Sequence, residues 1–130
     1  MVNTSEAISS QPSAFSFDRL ALLNRATITI ADLADGYLAF TLGNTITLDT
    51  DAAGYGWFID PTPFTSEEFL PSAISHQLSA EPDGLAAGKI DLMTVLMHEL
   101  GHVMGLGHVS SAVDGTRLMA GSIDPGIRRL

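Results

Sequence analysis

An eleven-residue segment near the C-terminus, His98–His108, has the sequence HELGHVMGLGH. It follows the pattern H-E-x-x-H-x-x-G-x-x-H, which brings three imidazoles and one carboxylate together within eleven residues. On a helix, His98 and His102 lie one turn apart on the same face, so both rings can reach one ion. Zinc held by three protein ligands keeps a fourth position for water, which is typical of a hydrolytic site rather than a structural one.

The remaining residues of the motif predict how the third imidazole and the carboxylate join this pair. Glu99 lies about 100° around the helix from His98, where it can reach the open side of a metal ion. Gly105 is predicted to end the helix as a C′ residue with a positive φ. The chain then turns back and presents His108, which an uninterrupted helix would carry to the wrong face.

The motif resembles that of the metzincin zinc metallopeptidases, and its surroundings resemble the matrixin-like domains of bacterial surface or secreted proteins. Met119, in the segment Arg117–Ala120, follows His108 at the distance at which metzincins place the methionine of their Met-turn. Residues 28–57 resemble the strands that precede the active-site helix of a matrixin. Together, the similar parts cover roughly residues 26–130.

The resemblance implies an α+β fold, in which a small twisted sheet packs on the active-site helix and a short C-terminal subdomain follows the third histidine. It implies that Met119 forms an apolar floor beneath the imidazoles without binding the metal. Position 121 is Gly, so the tyrosine that some metzincins bring to the metal is missing here. Substrate is expected to lie antiparallel to an edge strand at Gly36–Thr41, with substrate-binding contacts from Tyr37, Leu38, Ala39 and Val95.

These features predict a zinc-dependent endopeptidase whose metal ligands are His98, His102 and His108. Zinc-bound water would attack the peptide carbonyl, with Glu99 as the base that takes its proton and the acid that protonates the leaving amine. The main alternative is a non-catalytic zinc-binding adhesion or binding module on a metzincin-like scaffold, although such a site has no need of Glu99. A zinc amidase that acts on non-peptide bonds is a third hypothesis.

Length and composition predict a single folded domain and exclude some classes of partner. The chain has 130 residues, and its hydrophobic fraction of 45% suffices for one core. With a net charge of −9 and six basic residues, it has no basic patch for phosphates, so nucleic acid is not an expected partner. It has no cysteine, which excludes disulfides and inhibition by a thiolate on the zinc, and no apolar stretch long enough to span a membrane.

The N-terminal segment differs in composition from the rest of the chain. Residues 1–14 are polar and rich in serine and are predicted to be disordered, while residues 15–130 are predicted to form a single matrixin-like peptidase domain. Met1–Glu6 has neither the basic region nor the apolar region of a signal peptide. Because the similar domains are exported, we expect an extracellular or cell-surface protein, as a monomer or as a domain of a longer chain.

Local patterns predict the remaining elements. Alternating β-branched residues and turn signals predict strands at residues 26–31, 37–42, 45–50 and 56–59. Residues 15–24 have loosely helical spacing, and Thr65–Glu68 resembles a capping box that opens one helical turn. Residues 72–89 are predicted as loop, with a short strand or turn near Ile74–Leu78. Asp91 is a predicted N-cap of the active-site helix, its carboxylate accepting a backbone N–H.

Further polar residues are candidates for metal binding or ion pairing. Four carboxylates ahead of the helix are candidates for binding calcium, which takes six to eight oxygens: Asp32, Asp35, Asp49 and Asp51. Because the sequence has no D-x-D-x-D-G loop, these residues are better interpreted as solvated carboxylates in turns. Many matrixins have a second, structural zinc site with three histidines and a carboxylate, and His76 is the one histidine here outside the motif. We therefore expect His76 to be an exposed or hydrogen-bonded loop residue. Arg128 and Arg129 either pair with acidic residues or form a charged tail.

Overall fold

The computed structural model of the chain describes residues 24–74, 76–109 and 115–130. These residues form eight strands and one helix, which confirms the α+β class. In chain order the elements are β1 Thr27–Ala31, β2 Ala39–Leu42, β3 Thr45–Asp49, β4 Trp57–Phe58, β5 Phe69–Pro71, β6 Gln77–Ala80, β7 Ile90–Asp91, α1 Leu92–Val103 and β8 Ile127–Arg129. The disorder predicted for residues 1–14 and most of the helical spacing at 15–24 lie outside the described residues.

The first sheet has the strand order β1-β3-β2, with β3 parallel to β1 and antiparallel to β2. Ile46 and Leu48 of β3 are buried. Their partners in β2 are Thr41 and Ala39, respectively, so the four side chains share one face of the sheet. Strand β2 therefore lies at an edge of this sheet and carries Thr41 on the same face as the core residues.

Helix α1 packs its apolar side on this face of the sheet. Val95 and Leu100 join Ile46, Leu48, Ala52 and Ile90 in one buried cluster, and further apolar residues of the helix pack against it: Leu92, Leu96 and Val103. None of the described residues form a helix with the length and apolar character that crossing a membrane requires.

Two smaller sheets hold the start of the helix and the C-terminus. Strands β4 and β7 form a short parallel pair, and β7 leads directly into α1. Strands β5, β6 and β8 form an antiparallel sheet in that order. Phe58 and Phe69 meet edge to face, with ring centroids 5.8 Å apart, and form a second buried cluster with Ala86.

A buried arginine ties the C-terminal strand to the start of α1. Arg128 in β8 is 2% exposed, and its Nε and Nη2 donate to the Asp91 carboxylate at 2.8 and 2.9 Å. Its Nη2 also lies 2.8 Å from Asp60 Oδ2. Burial alone would lower the pKa of Arg128, but the hydrogen bonds and charges of Asp91 and Asp60 raise it above its ordinary value. Of the two interpretations offered for Arg128, pairing with acidic residues is therefore correct.

Two predicted elements differ from the structure because local polar contacts compete with them. The second strand begins at Ala39 rather than at residue 37, since Asp35 and Gly36 have positive φ and the Tyr37 N–H donates to the Ala34 carbonyl. The prediction of a helical turn at residues 65–68 is wrong. The Thr65 hydroxyl donates to Thr62 O and to the Glu67 carboxylate instead of capping a helix, and strand β5 starts at residue 69.

Two carboxylates also have roles that the sequence did not predict. Asp91 is the N-cap residue of α1, but it makes no side-chain capping bond, because its carboxylate is used by Arg128 and by the Thr94 hydroxyl at 2.7 Å. Asp49 is buried rather than solvated. Hydrogen bonds from the N–H groups of Ala53 and Leu33 hold the pKa of Asp49 at about 2, and they occupy both of its oxygens.

Candidate active site

Helix α1 is followed by a glycine turn that reverses the chain. The Gly105 N–H donates to His102 O at 2.9 Å, and the Leu106 N–H donates to Gly101 O at 2.9 Å. These are the two hydrogen bonds of a Schellman motif. Gly105 has a φ of 94°, in the left-handed region that L side chains adopt at a cost of about 1–2 kcal/mol. The predicted C′ position is confirmed, and the turn brings His108 back toward the helix.

Two of the three imidazoles in the motif have a fixed tautomer. Nδ1 of His98 lies 2.8 Å from the Leu118 carbonyl oxygen, and Nδ1 of His102 lies 2.8 Å from the Leu106 carbonyl oxygen. Because a carbonyl only accepts, each Nδ1 carries the proton, and each Nε2 keeps its lone pair while the ring is neutral. Burial lowers the pKa of His98 and outweighs the opposite effects of the Leu118 carbonyl and the Glu99 charge, so the neutral ring is favoured.

The Nε2 atoms of the three histidines face one another at distances that suit one zinc ion. Nε2 of His102 lies 3.1 Å from Nε2 of His98 and 3.1 Å from Nε2 of His108. With Zn–N bonds of about 2.0–2.1 Å, two ligands of a tetrahedral site are about 3.3 Å apart. The lone pairs of two neutral rings repel each other at this distance unless a cation lies between them. The donor set therefore fits a divalent metal, and the ligand atoms of this group all lie within 4.8 Å of one another.

Glu99 is buried next to these imidazoles. It is 5% exposed, and its Oε1 accepts a hydrogen bond of 2.7 Å from the Thr41 hydroxyl. Its other oxygen, Oε2, lies 3.8 Å from Nε2 of His98. The two carboxylate oxygens thus have different surroundings, one facing the sheet and one facing the imidazole cluster.

Met119 packs against the backbone of α1. A Cβ on Gly101 would lie 2.6 Å from Sδ and 2.9 Å from Cε of Met119, so the thioether occupies the space that a side chain would need. Gly101 directly precedes His102, which places the methionine beside the part of the helix that carries the ligands. The Met119 carbonyl accepts a hydrogen bond of 2.9 Å from the Val109 N–H, which links the segment around Met119 to the residue that follows His108.

A cleft runs past the three imidazoles and along strand β2. One cavity, of about 560 Å³, is bounded by β2 and the turn after it, and by the side of α1 that carries Glu99 and His102. A second cavity, of about 240 Å³, is lined on the helix side by Thr94 and Val95. Ala39, Glu99 and His108 line both cavities, so the candidate metal ligands lie where the two meet.

The residues that the sequence singled out are brought together to different degrees. The substrate-contact candidates Tyr37, Leu38, Ala39 and Val95 all line the second cavity, together with His98 and Glu99. Position 121 is also close, since a Cβ on Gly121 would lie 3.6 Å from Nδ1 of His108. His76 is hydrogen-bonded as predicted, its Nε2 lying 2.7 Å from the Thr116 hydroxyl. Residues 110–114, which follow the third histidine of the motif, lie outside the described residues.

Comparison with known proteins agrees with this geometry. Residues 12–124 match the family model of the M10 peptidases, which is described as Matrixin. The chain belongs to the matrixin family. No curated protein and no solved structure matches it. The matrixin match and the three-histidine group together identify a domain of the zinc metallopeptidase type.

Sequence reasoning missed three groups in this matrixin site. Thr41 is predicted only as the last residue of the substrate-pairing strand Gly36–Thr41, with no role for its hydroxyl, and no prediction names the Leu118 and Leu106 carbonyls that orient the imidazoles. A general signal for the carbonyls exists, because metal-binding histidines almost always donate their second N–H to an oxygen. The sequence carries no comparable signal for Thr41, which lies 58 positions before Glu99.

Proposed function

We propose that this matrixin-family chain is a zinc-dependent endopeptidase, with His98, His102 and His108 as metal ligands and Glu99 as general base and acid. The observation that carries the proposal is the convergence of three Nε2 atoms next to a buried carboxylate in an open cleft. When bound, zinc would supply Lewis acidity toward a peptide carbonyl and lower the pKa of a water molecule. The three histidines supply enough ligands for one such ion per chain.

Glu99 is the group that would move the proton. Its Oε2 faces the imidazole cluster, so it is the oxygen that would accept the proton of the attacking water. The same oxygen would then donate that proton to the amine of the departing product. General acid–base catalysis of this kind contributes typically about 10²–10⁴-fold to the rate.

The chain's own carbonyl oxygens would keep the ligands ready for the metal. Leu118 O and Leu106 O accept the Nδ1 protons of His98 and His102 and leave both Nε2 atoms free of hydrogen. Such contacts raise the basicity of the imidazole and fix the plane of the ring. This preorganisation lowers the conformational cost of metal binding.

The substrate would be a protein or peptide that pairs with the edge of β2. An extended chain added antiparallel to an edge strand gains main-chain hydrogen bonds, while its side chains enter neighbouring pockets. The cavity lined by Tyr37, Leu38, Ala39 and Val95 lies beside Glu99 and would take one of these side chains. Its walls, including Thr94 and Leu118, would then set the cleavage preference.

We infer a metzincin-like arrangement in which the first sheet packs on α1, residues after His108 form a short C-terminal subdomain, and residues 15–130 fold as one unit. The extracellular or cell-surface location is inferred from the family resemblance alone. A bound calcium ion gains no support from Asp49, whose two oxygens accept backbone N–H groups.

A quenched fluorescent peptide mixture tests the proposal. The wild-type protein with zinc is expected to cleave it, and a chelator should abolish the cleavage until zinc is restored. Glu99→Ala should keep one zinc per chain but lose at least about 100-fold in turnover, because the base is gone and the ligands remain. His76→Ala is the matched control, since this histidine lies outside the cluster and should leave both properties unchanged. A zinc-loaded wild type without chelator-sensitive cleavage would contradict the proposal and favour a binding module.

A further inference from the structure

Strand β2 touches the helix through one polar side chain that the proposed reaction scheme does not use. Thr41 shares the inner face of the sheet with Ala39, while its neighbours Phe40 and Leu42 point the other way and are exposed. On that inner face the Thr41 hydroxyl meets Glu99, donating to Oε1 at 2.7 Å and lying 3.3 Å from the Glu99 backbone carbonyl. The contact thus joins the edge strand to the carboxylate of the zinc motif.

The contact assigns different tasks to the two oxygens of Glu99. A hydroxyl has one proton, and the shorter distance, 2.7 Å to Oε1 against 3.3 Å to the Glu99 carbonyl, favours Oε1 as its acceptor. Oε2 then remains on the side of the imidazoles, 3.8 Å from Nε2 of His98. Without a donor on Oε1, the carboxylate would be free to rotate about its terminal torsion, which is broad and roughly two-fold. The hydroxyl therefore selects the orientation in which one oxygen faces the cleft.

Burial makes this hydrogen bond more important than a surface contact would be. Glu99 is 5% exposed, and a buried carboxylate that loses a hydrogen-bond donor is strongly disfavoured. Valine has the shape of threonine but no hydroxyl, so it would fill the same space and remove only the donor. The strand position and the chemistry of the side chain are therefore separable by mutation.

We propose that Thr41 is a positioning residue for Glu99, which fixes the carboxylate so that Oε2 is presented to the water and the scissile bond. This inference rests on the proposed peptidase function for its kinetic consequence, but the contact itself does not. Because Thr41 belongs to the edge strand that would pair with substrate, it also makes the orientation of the base depend on the position of that strand. Thr41 itself touches neither the metal ligands nor the reacting atoms in this scheme.

The kinetic test compares Thr41→Val with Thr41→Ser and with a matched threonine elsewhere in the sheet. Thr41→Val should lower kcat about ten-fold or more with KM changed less than about two-fold, because the base is misoriented while the cleft keeps its shape. Thr41→Ser restores the hydroxyl and should recover kcat to within about three-fold of wild type. Thr29 lies in β1 of the same sheet, and its hydroxyl contacts that of Thr47 at 2.9 Å; Thr29→Val removes the same group away from Glu99 and should change neither constant. Zinc content should be one per chain in all variants.

A double-mutant cycle in the metal-free protein tests the contact without activity. Unfolding by urea is measured for wild type, Thr41→Val, Glu99→Ala and the double variant. The two single effects should be coupled by about ten-fold or more in the unfolding equilibrium constant, as expected for a hydrogen bond to a charged group. If Thr41→Val does not fold, the same cycle is measured with Thr41→Ala and with Thr41→Ser, of which only the alanine cycle should show the coupling, because serine keeps the hydroxyl.

The outcomes separate this inference from the proposed function. An active wild type in which Thr41→Val keeps its kcat, or in which Thr41→Ser fails to recover a lowered kcat, would overturn the positioning role and leave the peptidase intact. Coupling below about two-fold in the cycle would overturn it as well. Strong coupling in a protein that cleaves no peptide would contradict the peptidase proposal while supporting the contact between Thr41 and Glu99.

Discussion

Replacing Arg128 with methionine is expected to remove a large share of the stability of this protein. The guanidinium is 2% exposed and makes two hydrogen bonds to Asp91 and one close contact to Asp60, each at 2.8–2.9 Å. It also lies 4.4 Å from the centroid of the Phe69 ring and donates to Thr65 O at 3.2 Å. Methionine keeps much of the volume but leaves both carboxylates without their cation.

The magnitude follows from the cost of an uncompensated buried charge. Removing one partner of a buried ion pair typically costs about 3–5 kcal/mol, against a total stability of about 5–15 kcal/mol for a domain. A loss of this size corresponds to a decrease in Tm on the order of 10 °C or more. Because Asp91 directly precedes α1, the loss is also expected to loosen the start of the helix.

Urea unfolding of the metal-free protein at neutral pH, followed by circular dichroism, measures this loss. Arg25→Met is the control, because Arg25 is exposed and its substitution should change the free energy of unfolding by less than about 0.5 kcal/mol. Asp60→Asn combined with Arg128→Met should recover part of the loss, since one of the unpaired charges is then gone. A change of less than about 1 kcal/mol in Arg128→Met would instead mean that the buried carboxylates of Asp91 and Asp60 do not need the guanidinium.

Three further predictions concern acid stability, the helix end and the Met-turn contact. Because the pKa of Asp49 is lowered to about 2, its carboxylate stabilises the fold above about pH 4, and that contribution is lost as the pH falls toward 2. The urea midpoint of the wild type should therefore fall between pH 4 and pH 2. The midpoint of Asp49→Asn should be lower at pH 4 and change less over the same range. Gly105→Ala should cost about 1–2 kcal/mol of unfolding free energy and weaken zinc binding, since φ is 94° there, while the control Gly107→Ala should cost less than about 0.5 kcal/mol. Gly101→Ala would place a Cβ 2.6 Å from Met119 Sδ, so the substitution should be less favourable to Tm in the wild type than in a Met119→Ala background, where that space is free; equal effects of Gly101→Ala in the two backgrounds would contradict the contact.

The parts of the structure that were predictable from the sequence are those set by local rules. The spacing of His98 and His102 on a helix, the positive φ of Gly105 and the strands that contain residues 27–31 and 45–49 all follow from backbone periodicity and glycine freedom. Because all three histidines lie within eleven residues, these local rules are enough to bring their imidazoles together.

The parts that were missed depend on residues far apart in the sequence. The partner of Asp91 is Arg128, 37 positions away, and this ion pair takes the carboxylate from its predicted capping bond. Strand β8 was not predicted because three residues at the C-terminus have no periodicity to detect, and it forms by pairing with β6. The same holds for Thr41 and Glu99, whose contact exists only once β2 lies over α1.

X-ray absorption at the zinc edge, on protein loaded with one equivalent of the metal, measures whether the three histidines bind it. We expect three imidazole nitrogens at about 2.0–2.1 Å and one light-atom ligand from solvent, with the nitrogen count reduced in His108→Ala. The same spectrum should be retained in Glu99→Ala, because Glu99 is the base and not a ligand. A shell without imidazole scattering, or a shell closed by four protein ligands, would contradict the claim that these histidines hold a metal with a position open for catalysis.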